Sequence, residues 1–275
     1  MSAALSAVLF DLDDTLIDSG GIEARVWLDV VELIAEHHPG VDRERLRERY
    51  VGVLESHYAD HAAGLTDFLT YRRRRLEDAL SPWGAVDDVL FRRYVETKDR
   101  CIDQVEAAEG AFDVVRGLRA RGLRVGILTN GPGWMQRRKL DASRVGDEVD
   151  AIAISGEIGV AKPDGAAFAA ALALLGTTAT ETAMVGDSLA NDVEGALAAG
   201  FRSVIFMSGD GGAPPGAATA ARLAEVPHLL GLARRPRRRA RGLRCAAWLP
   251  HSPGSGTRPS GWTPRAEPVS TSIPG

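Results

Sequence analysis

Cysteine is nearly absent from this 275-residue chain: Cys101 and Cys245 are the only two. Two thiols cannot form a disulfide framework, so a reducing, cytoplasmic setting is the expectation. Long apolar runs are missing too. The longest, residues 166–175, is about half of what a membrane-spanning helix needs. Residues 1–7 lack the basic start of a signal peptide, and the apolar stretch after them soon meets Asp11. No membrane partner is expected. Lysine is scarce: of 33 basic residues only Lys98, Lys139 and Lys162 are not Arg.

What is present is ordinary in amount and uneven in placement. A hydrophobic share of 45% and a charged share of 25% suit a globular chain large enough for a sizeable core. The net charge of −4 hides an asymmetry, because residues 231–275 hold nine Arg and no Lys against the single acid Glu267. The residues before them are correspondingly acidic, which makes a nucleic-acid partner unexpected: a phosphate backbone demands a positive surface. Residues 231–275 are rich in Pro, Gly, Ser and Arg without periodicity, and are expected to form a disordered tail.

The pattern along the chain divides the rest. Ala7–Phe10 is a continuous apolar run ending in acids, as expected of a strand buried on both faces of a parallel sheet. Apolar residues then recur at helical spacing among many charges (Val26, Val30, Leu33, Ile34; Leu46, Tyr50; Leu76; Leu90, Val95), which predicts about four helices and no strand. From residue 111 strands and helices alternate. Strands are expected at 124–128, 150–154, 182–185 and 203–207. Helices are expected at 111–121, from Gly131, and at 164–175 and 189–199, three of them stopped by Gly122, Gly176 and Gly200. This is an α/β, doubly wound parallel-sheet, Rossmann-like core with an inserted α-helical domain. The expected boundaries are core 1–18, helical insertion 19–106, core 107–230 and tail 231–275.

Acids stand where such a sheet binds ligands, at the carboxyl ends of strands. Asp11 and Asp13 follow the first strand two residues apart, so both can address one site. Two carboxylates that close repel, and a hard cation or a retained proton on Asp13 would relieve this. An acidic turn capping the next helix is the alternative. Asp187 and Asp192 follow the strand at 182–185 and can offer oxygens to the same cation; N-capping by Asp187 or Ser188 is the alternative. Thr129, Asn130 and Gly131 open a helix after another strand and suit a phosphate, although an ordinary cap and turn reads the same way. Lys162 can balance clustered acids and a phosphoryl group.

Taken in order, these segments resemble the haloacid dehalogenase (HAD) superfamily. Asp11, Asp13 and Thr15 match its DxDxT motif, Thr129 its Thr/Ser motif, Lys162 its lysine, and Gly186, Asp187 and Asp192 its GDxxxxD signature. The resemblance runs over residues 6–230, and the insertion is similar to the helical cap of subfamily I. One departure is Gly165, where many relatives have a second Pro after Lys162-Pro163-Asp164. The resemblance implies a Mg²⁺-dependent phosphatase acting on a small phosphorylated metabolite. Asp11 would be the nucleophile and Asp13 the acid and base. Asp11, the Asp13 carbonyl, Asp187 and Asp192 would serve the metal. Thr129, Asn130 and Lys162 would serve the phosphate. Relatives that remove halogen carry Tyr where this chain has Asp13, which argues against a dehalogenase. A phosphosugar mutase and an inactive binding relative remain as alternatives, and neither substrate nor oligomeric state is legible.

Other features of the insertion are expected to be structural. His57 and His61 are four apart with no third ligand evident, so a solvated helix face is expected. The run Arg72–Arg75 exceeds one helical turn and cannot all face a substrate; one of these arginines could reach an acidic substrate from the insertion, and most are expected at the surface. Trp27 and Trp83 are expected in the insertion's core.

Overall fold

A computed structural model describes residues 4–53, 57, 66–209 and 212–232. The tail expectation therefore lies outside the described residues, apart from Gly231 and Leu232, and so does His61.

Six parallel strands form one sheet in the order β3-β2-β1-β4-β5-β6. They are β1 (Ala7–Phe10), β2 (Arg124–Thr129), β3 (Ala151–Ile154), β4 (Thr182–Gly186), β5 (Ser203–Met207) and β6 (Ala218–Ala220). Every residue of β1 is buried, as its unbroken apolar run requires of a central strand covered on both faces. Strand order reverses at β1, which pairs with β2 on one side and β4 on the other. The crevice beyond the carboxyl ends of β1 and β4 is where an open α/β sheet binds ligands. β6 is the one strand absent from the sequence expectation; three residues, Ala-Thr-Ala, carry too little periodicity to announce it.

Between β1 and β2 the chain leaves the sheet for a helical insertion: α1 (Ser19–His37), α2 (Arg43–Gly52), α3 (Phe68–Leu80) and α4 (Asp88–Ile102). Each begins at an aspartate whose carboxylate accepts a backbone N–H of the first turn: Asp18, Asp42, Asp67 and Asp87. The periodic residues Val26, Val30, Leu33, Ile34, Leu46, Leu76 and Leu90 are buried, packing these helices on one another. Trp27 stacks against Tyr50 at 4.6 Å, and Trp83 packs on the same core. His57 pairs with Asp78 at 2.6 Å. The outgoing and returning chains run side by side: Ile17 bridges Ala107 in antiparallel fashion, and Ala108 N–H donates to the Leu16 carbonyl at 2.8 Å.

In chain order the core helices are α5 (Ala111–Arg119), α6 (Gly133–Ser143), α7 (Ser155–Ile158), α8 (Gly165–Leu175), α9 (Gly195–Ala198) and α10 (Val226–Leu229). Gly176 ends α8 in the left-handed region at φ 67°, where an L side chain is strained. The helix expected at 189–199 is different in kind. Residues Leu189–Glu194 form a widened π turn, with Val193 N–H donating to the Ser188 carbonyl, and only Gly195–Ala198 is α-helical. The widening accompanies the inward turn of Asp192, which is wholly buried.

Candidate active site

The turn after β1 builds the first wall. Asp11 N–H donates to the Val185 carbonyl at 2.9 Å, continuing the β1–β4 ladder one residue past the strand. Leu12 and Leu16 are buried beneath, and Leu16 N–H closes the turn on the Leu12 carbonyl. Asp11 is thereby fixed at the crevice by backbone that cannot shift without breaking the sheet.

Lys162, returning before α8, lies between two of the acids. Its Nζ donates to Asp11 Oδ1 at 2.5 Å and to Asp192 Oδ1 at 2.6 Å. The other oxygen of Asp192 accepts the Ser188 N–H at 2.9 Å. Gly186 makes this approach possible: a Cβ there would stand 2.4 Å from the Asp192 carboxyl carbon, closer than atoms can pack. The glycine of the GDxxxxD signature thus has a steric cause.

Asp11, Asp187 and Asp192 each bring an oxygen within 4.8 Å of the others. Among the described residues one ammonium, Lys162, stands among these three carboxylates. Burial first, and repulsion from Asp192 and Asp13, push the Asp11 carboxyl well above its ordinary range, although Lys162 pulls the other way. Burial and Asp192 raise Asp187 to about 6. Burial works against the Lys162 ammonium but is outweighed by Asp11 and Asp192, which hold it charged. An oxygen-only donor set in charge excess fits a hard divalent cation.

Asp13 points away from that cluster. Its carboxylate accepts from Ser19 Oγ, from Lys139 Nζ at 2.6 Å and from Gln136 Nε2 at 2.7 Å. Burial opposes its ionisation, but the Lys139 ammonium and the three hydrogen bonds outweigh it and hold the carboxyl below its usual range. Three donors thus favour the carboxylate of Asp13 in this arrangement. Asp13's side chain also lies outside the three-acid group, leaving only its backbone for the metal role.

The remaining sequence candidates separate by task. Thr129 is buried and its Oγ1 accepts from Gln136 Nε2 at 2.5 Å; it caps no helix, since Pro132 is the N-cap of α6. Asn130 clips the lysine loop instead, accepting the Lys162 N–H and donating to the Lys162 carbonyl, both at 2.9 Å. Thr129, Asn130 and Lys162 nonetheless line one cavity of about 170 Å³ together with Asp11, Asp13, Asp187 and Asp192. Ser188 does cap the turn that follows, accepting the Asn191 N–H. Sequence reading passed over Gln136 and Lys139, whose side chains turn from α6 onto Asp13. Their spacing of three on the helix opened by the Thr129 segment was the available signal.

A second cavity of about 460 Å³ adjoins the first, sharing Asn191 and floored by Ser19 and Lys139, the two residues bonded to Asp13. Aromatic side chains of the insertion wall it. Contrary to the expectation for the Arg72–Arg75 run, two of the four are buried: Arg72 and Arg75 lie on the inner face of α3, because residues three apart share a helix side. Arg72 pairs with Asp99 at 2.7 Å.

Residues 5–200 match the family described as haloacid dehalogenase-like hydrolase. The chain belongs to that family. It is 30% identical over 213 residues to N-acylneuraminate-9-phosphatase from Rattus norvegicus, covering 76% of this chain and 84% of the relative. It is 39% identical over 224 residues to phosphoserine phosphatase from Thermus thermophilus, covering 73% and 88%. The HAD-hydrolase YfnB from Bacillus subtilis, solved bound to magnesium, shares the fold with a TM-score of 0.65 at 22% identity, covering 83% of this chain and 99% of that one. Family and relatives together make this HAD-like chain a hydrolase of the phosphatase kind.

Proposed function

We propose that the chain hydrolyses a small phosphorylated metabolite through an aspartyl-phosphate on Asp11, with the helical insertion as its cap. The observation that carries this reading is the meeting of buried Asp11, Lys162 and Asp192 with half-buried Asp187 in one group at the strand-order reversal. A nucleophile, a cation for the phosphoryl charge and a metal-competent acid set stand together.

Asp11 and Asp187, with the Asp13 carbonyl, are the residues that would hold Mg²⁺, and Asp192, engaged by Lys162 and Ser188, steadies them. The ion would neutralise charge on the phosphoryl oxygens and keep Asp11 ionised. An Asp11 oxygen attacks phosphorus, the bond to the ester oxygen breaks, and the leaving oxygen takes a proton from Asp13. Water then attacks the phosphoenzyme and gives its proton to Asp13, restoring Asp11 and releasing inorganic phosphate. The resting carboxylate of Asp13 is already the form that accepts a proton from water. For the first half, arriving substrate must loosen the grip of Ser19, Gln136 and Lys139 so that Asp13 can carry one. The remainder is positioning and electrostatics, as phosphoryl transfer requires. Relatives named for phosphoserine and N-acylneuraminate 9-phosphate support a small phosphorylated substrate.

Hydrolysis of p-nitrophenyl phosphate with and without Mg²⁺, beside the Asp11→Asn variant, tests the reading. Turnover that needs both the metal and Asp11 supports it. A folded wild type that stays inactive with Mg²⁺ on this ester and on a panel of phosphorylated metabolites overturns it.

A further inference from the structure

The phosphoryl cavity leaves the rest of the substrate to the larger cavity above it, and the charges in that second space are not balanced. Its lining holds four cations, Arg72, Arg75, Lys98 and Lys139, and one acid, Glu23. Three of the cations have carboxylate partners: Arg72 with Asp99, Lys98 with Glu23 at 2.6 Å, and Lys139 with Asp13. Arg75 makes no ion pair among the described residues, although it is only 8% exposed; Glu23, whose carboxyl feels its charge, is held by Lys98. Burying an uncompensated guanidinium is costly, so the site is built for an anion that arrives from outside.

The geometry around Arg75 is that of a held, aimed group. Its Nε donates to the Tyr50 carbonyl at 3.1 Å, and its guanidinium lies over the Tyr50 ring, 3.7 Å from the centroid. The Tyr71 hydroxyl is within its hydrogen-bonding reach. The fork is thus fixed by aromatic walls, and a planar fork of this kind matches a carboxylate. With the other three cations each paired to a carboxylate, the one positive charge left over balances one negative charge. A second phosphate, carrying about two at neutral pH, would stay undercompensated there.

Resting on the phosphatase reading, we infer that the preferred substrates are phosphomonoesters bearing a carboxylate away from the phosphate, and that Arg75 is the carboxylate's receptor. Lys139 and Ser19, beneath the pocket, sit where the ester oxygen passes from one cavity to the other.

The test compares matched pairs differing only in that group: 3-phosphoglycerate against glycerol 3-phosphate, and 6-phosphogluconate against glucitol 6-phosphate. In the wild type with Mg²⁺, kcat/KM should favour the acid of at least one pair by about 30-fold or more, the scale on which losing one partner of a buried charge pair is felt. Arg75→Met, of similar length without the charge, should bring that ratio to within about threefold, with its fold checked by near-ultraviolet circular dichroism. Should Arg75→Met fail to fold, Arg75→Lys replaces it, with the ratio reduced because the fork is lost. Equal use of acid and alcohol, or a preference that survives loss of Arg75, overturns the assignment. A preference for fructose 1,6-bisphosphate over fructose 6-phosphate without one for the acids also overturns it, reassigning the pocket to a second phosphate. Absence of Mg²⁺-dependent turnover on every ester, p-nitrophenyl phosphate included, instead brings down the phosphatase reading itself.

Discussion

Beyond the ends of β1 and β4 the set of charged side chains is short of positive charge: Lys162 is shared by Asp11 and Asp192, and Asp187 stands beside them with no cation of its own among the described residues. In the adjoining pocket the shortage is of the other sign: Arg75 makes no ion pair among the described residues, and Glu23, which feels its charge, is held by Lys98. The supports differ as well. The strand-end acids hang on backbone that also closes the sheet ladder, whereas Arg75 is held by the carbonyl and ring of Tyr50 on a neighbouring helix. One region is suited to fix a chemistry that cannot vary, and the other to select among substrates by exchanging side chains on a helix face.

Removing one cation from each region breaks or sharpens that contrast, and the larger effect is expected at Lys162. With Lys162→Met two buried carboxylates lose their shared ammonium. Such a break costs on the order of 3–5 kcal/mol, read as a drop in the urea-unfolding free energy in EDTA. With Mg²⁺ present, turnover of every phosphomonoester should fall together by about 10²-fold or more, since the group serves the common phosphoryl and not the variable remainder. A loss confined to some substrates would erase the distinction between the regions.

The two regions were also unequally legible. Asp11 and Asp187 stand at strand ends announced by short apolar runs, with Asp192 in the turn after β4 and Lys162 in the loop before α8, and a parallel sheet brings such ends to one edge whatever the helices between them do. Gly186 could be matched to a motif, but its cause, the close pass of Asp192, required coordinates. Asp13 could be assigned to the crevice from its spacing, but not the donors around it. The donors that hold it ionised, Lys139 and Gln136, come from a helix more than a hundred residues away. The insertion yielded its helices and buried faces through their period. Which of Arg72 to Arg75 turned inward depended on packing against α2 and α4, which periodicity alone does not report.

A smaller effect is expected from pH at the strand-end cluster without metal. Asp187, raised to about 6 from 3.8, binds its proton more tightly in the folded chain than in the unfolded one. As pH rises through that window the unfolded state releases the proton first, so this group's contribution to stability is lost with rising pH. Wild type in EDTA should therefore lose stability between pH 4 and 6 relative to Asp187→Asn, which has nothing to titrate there. Solvent screening keeps the difference below what full burial would give. Adding Mg²⁺ should reverse it, because metal and proton compete for the same oxygens. A pH-independent difference between the two proteins in EDTA would mean that Asp187 is not part of a charge-strained group.

The smallest effect is expected where the regions touch. Trp134 on α6 meets Phe68 on α3 edge to face at 5.8 Å, yet Trp134 is 45% exposed. An edge-to-face pair is worth about 0.5–1.5 kcal/mol beyond its area, enough to bias how the insertion rests on the core and too little to hold it there. The Arg138–Asp103 ion pair at 2.7 Å spans the same divide and is left intact by the change. Trp134→Ala should therefore raise KM by a few-fold through looser seating of the pocket over the strand ends, with kcat for p-nitrophenyl phosphate little altered, because none of the groups around Asp11 moves. Steady-state kinetics on that ester and on 6-phosphogluconate separates the cases. A KM rise on the larger substrate alone assigns the contact to the pocket. A parallel fall in kcat on both would show that the chemistry depends on the insertion's seating after all, and the two regions would have to be treated as one.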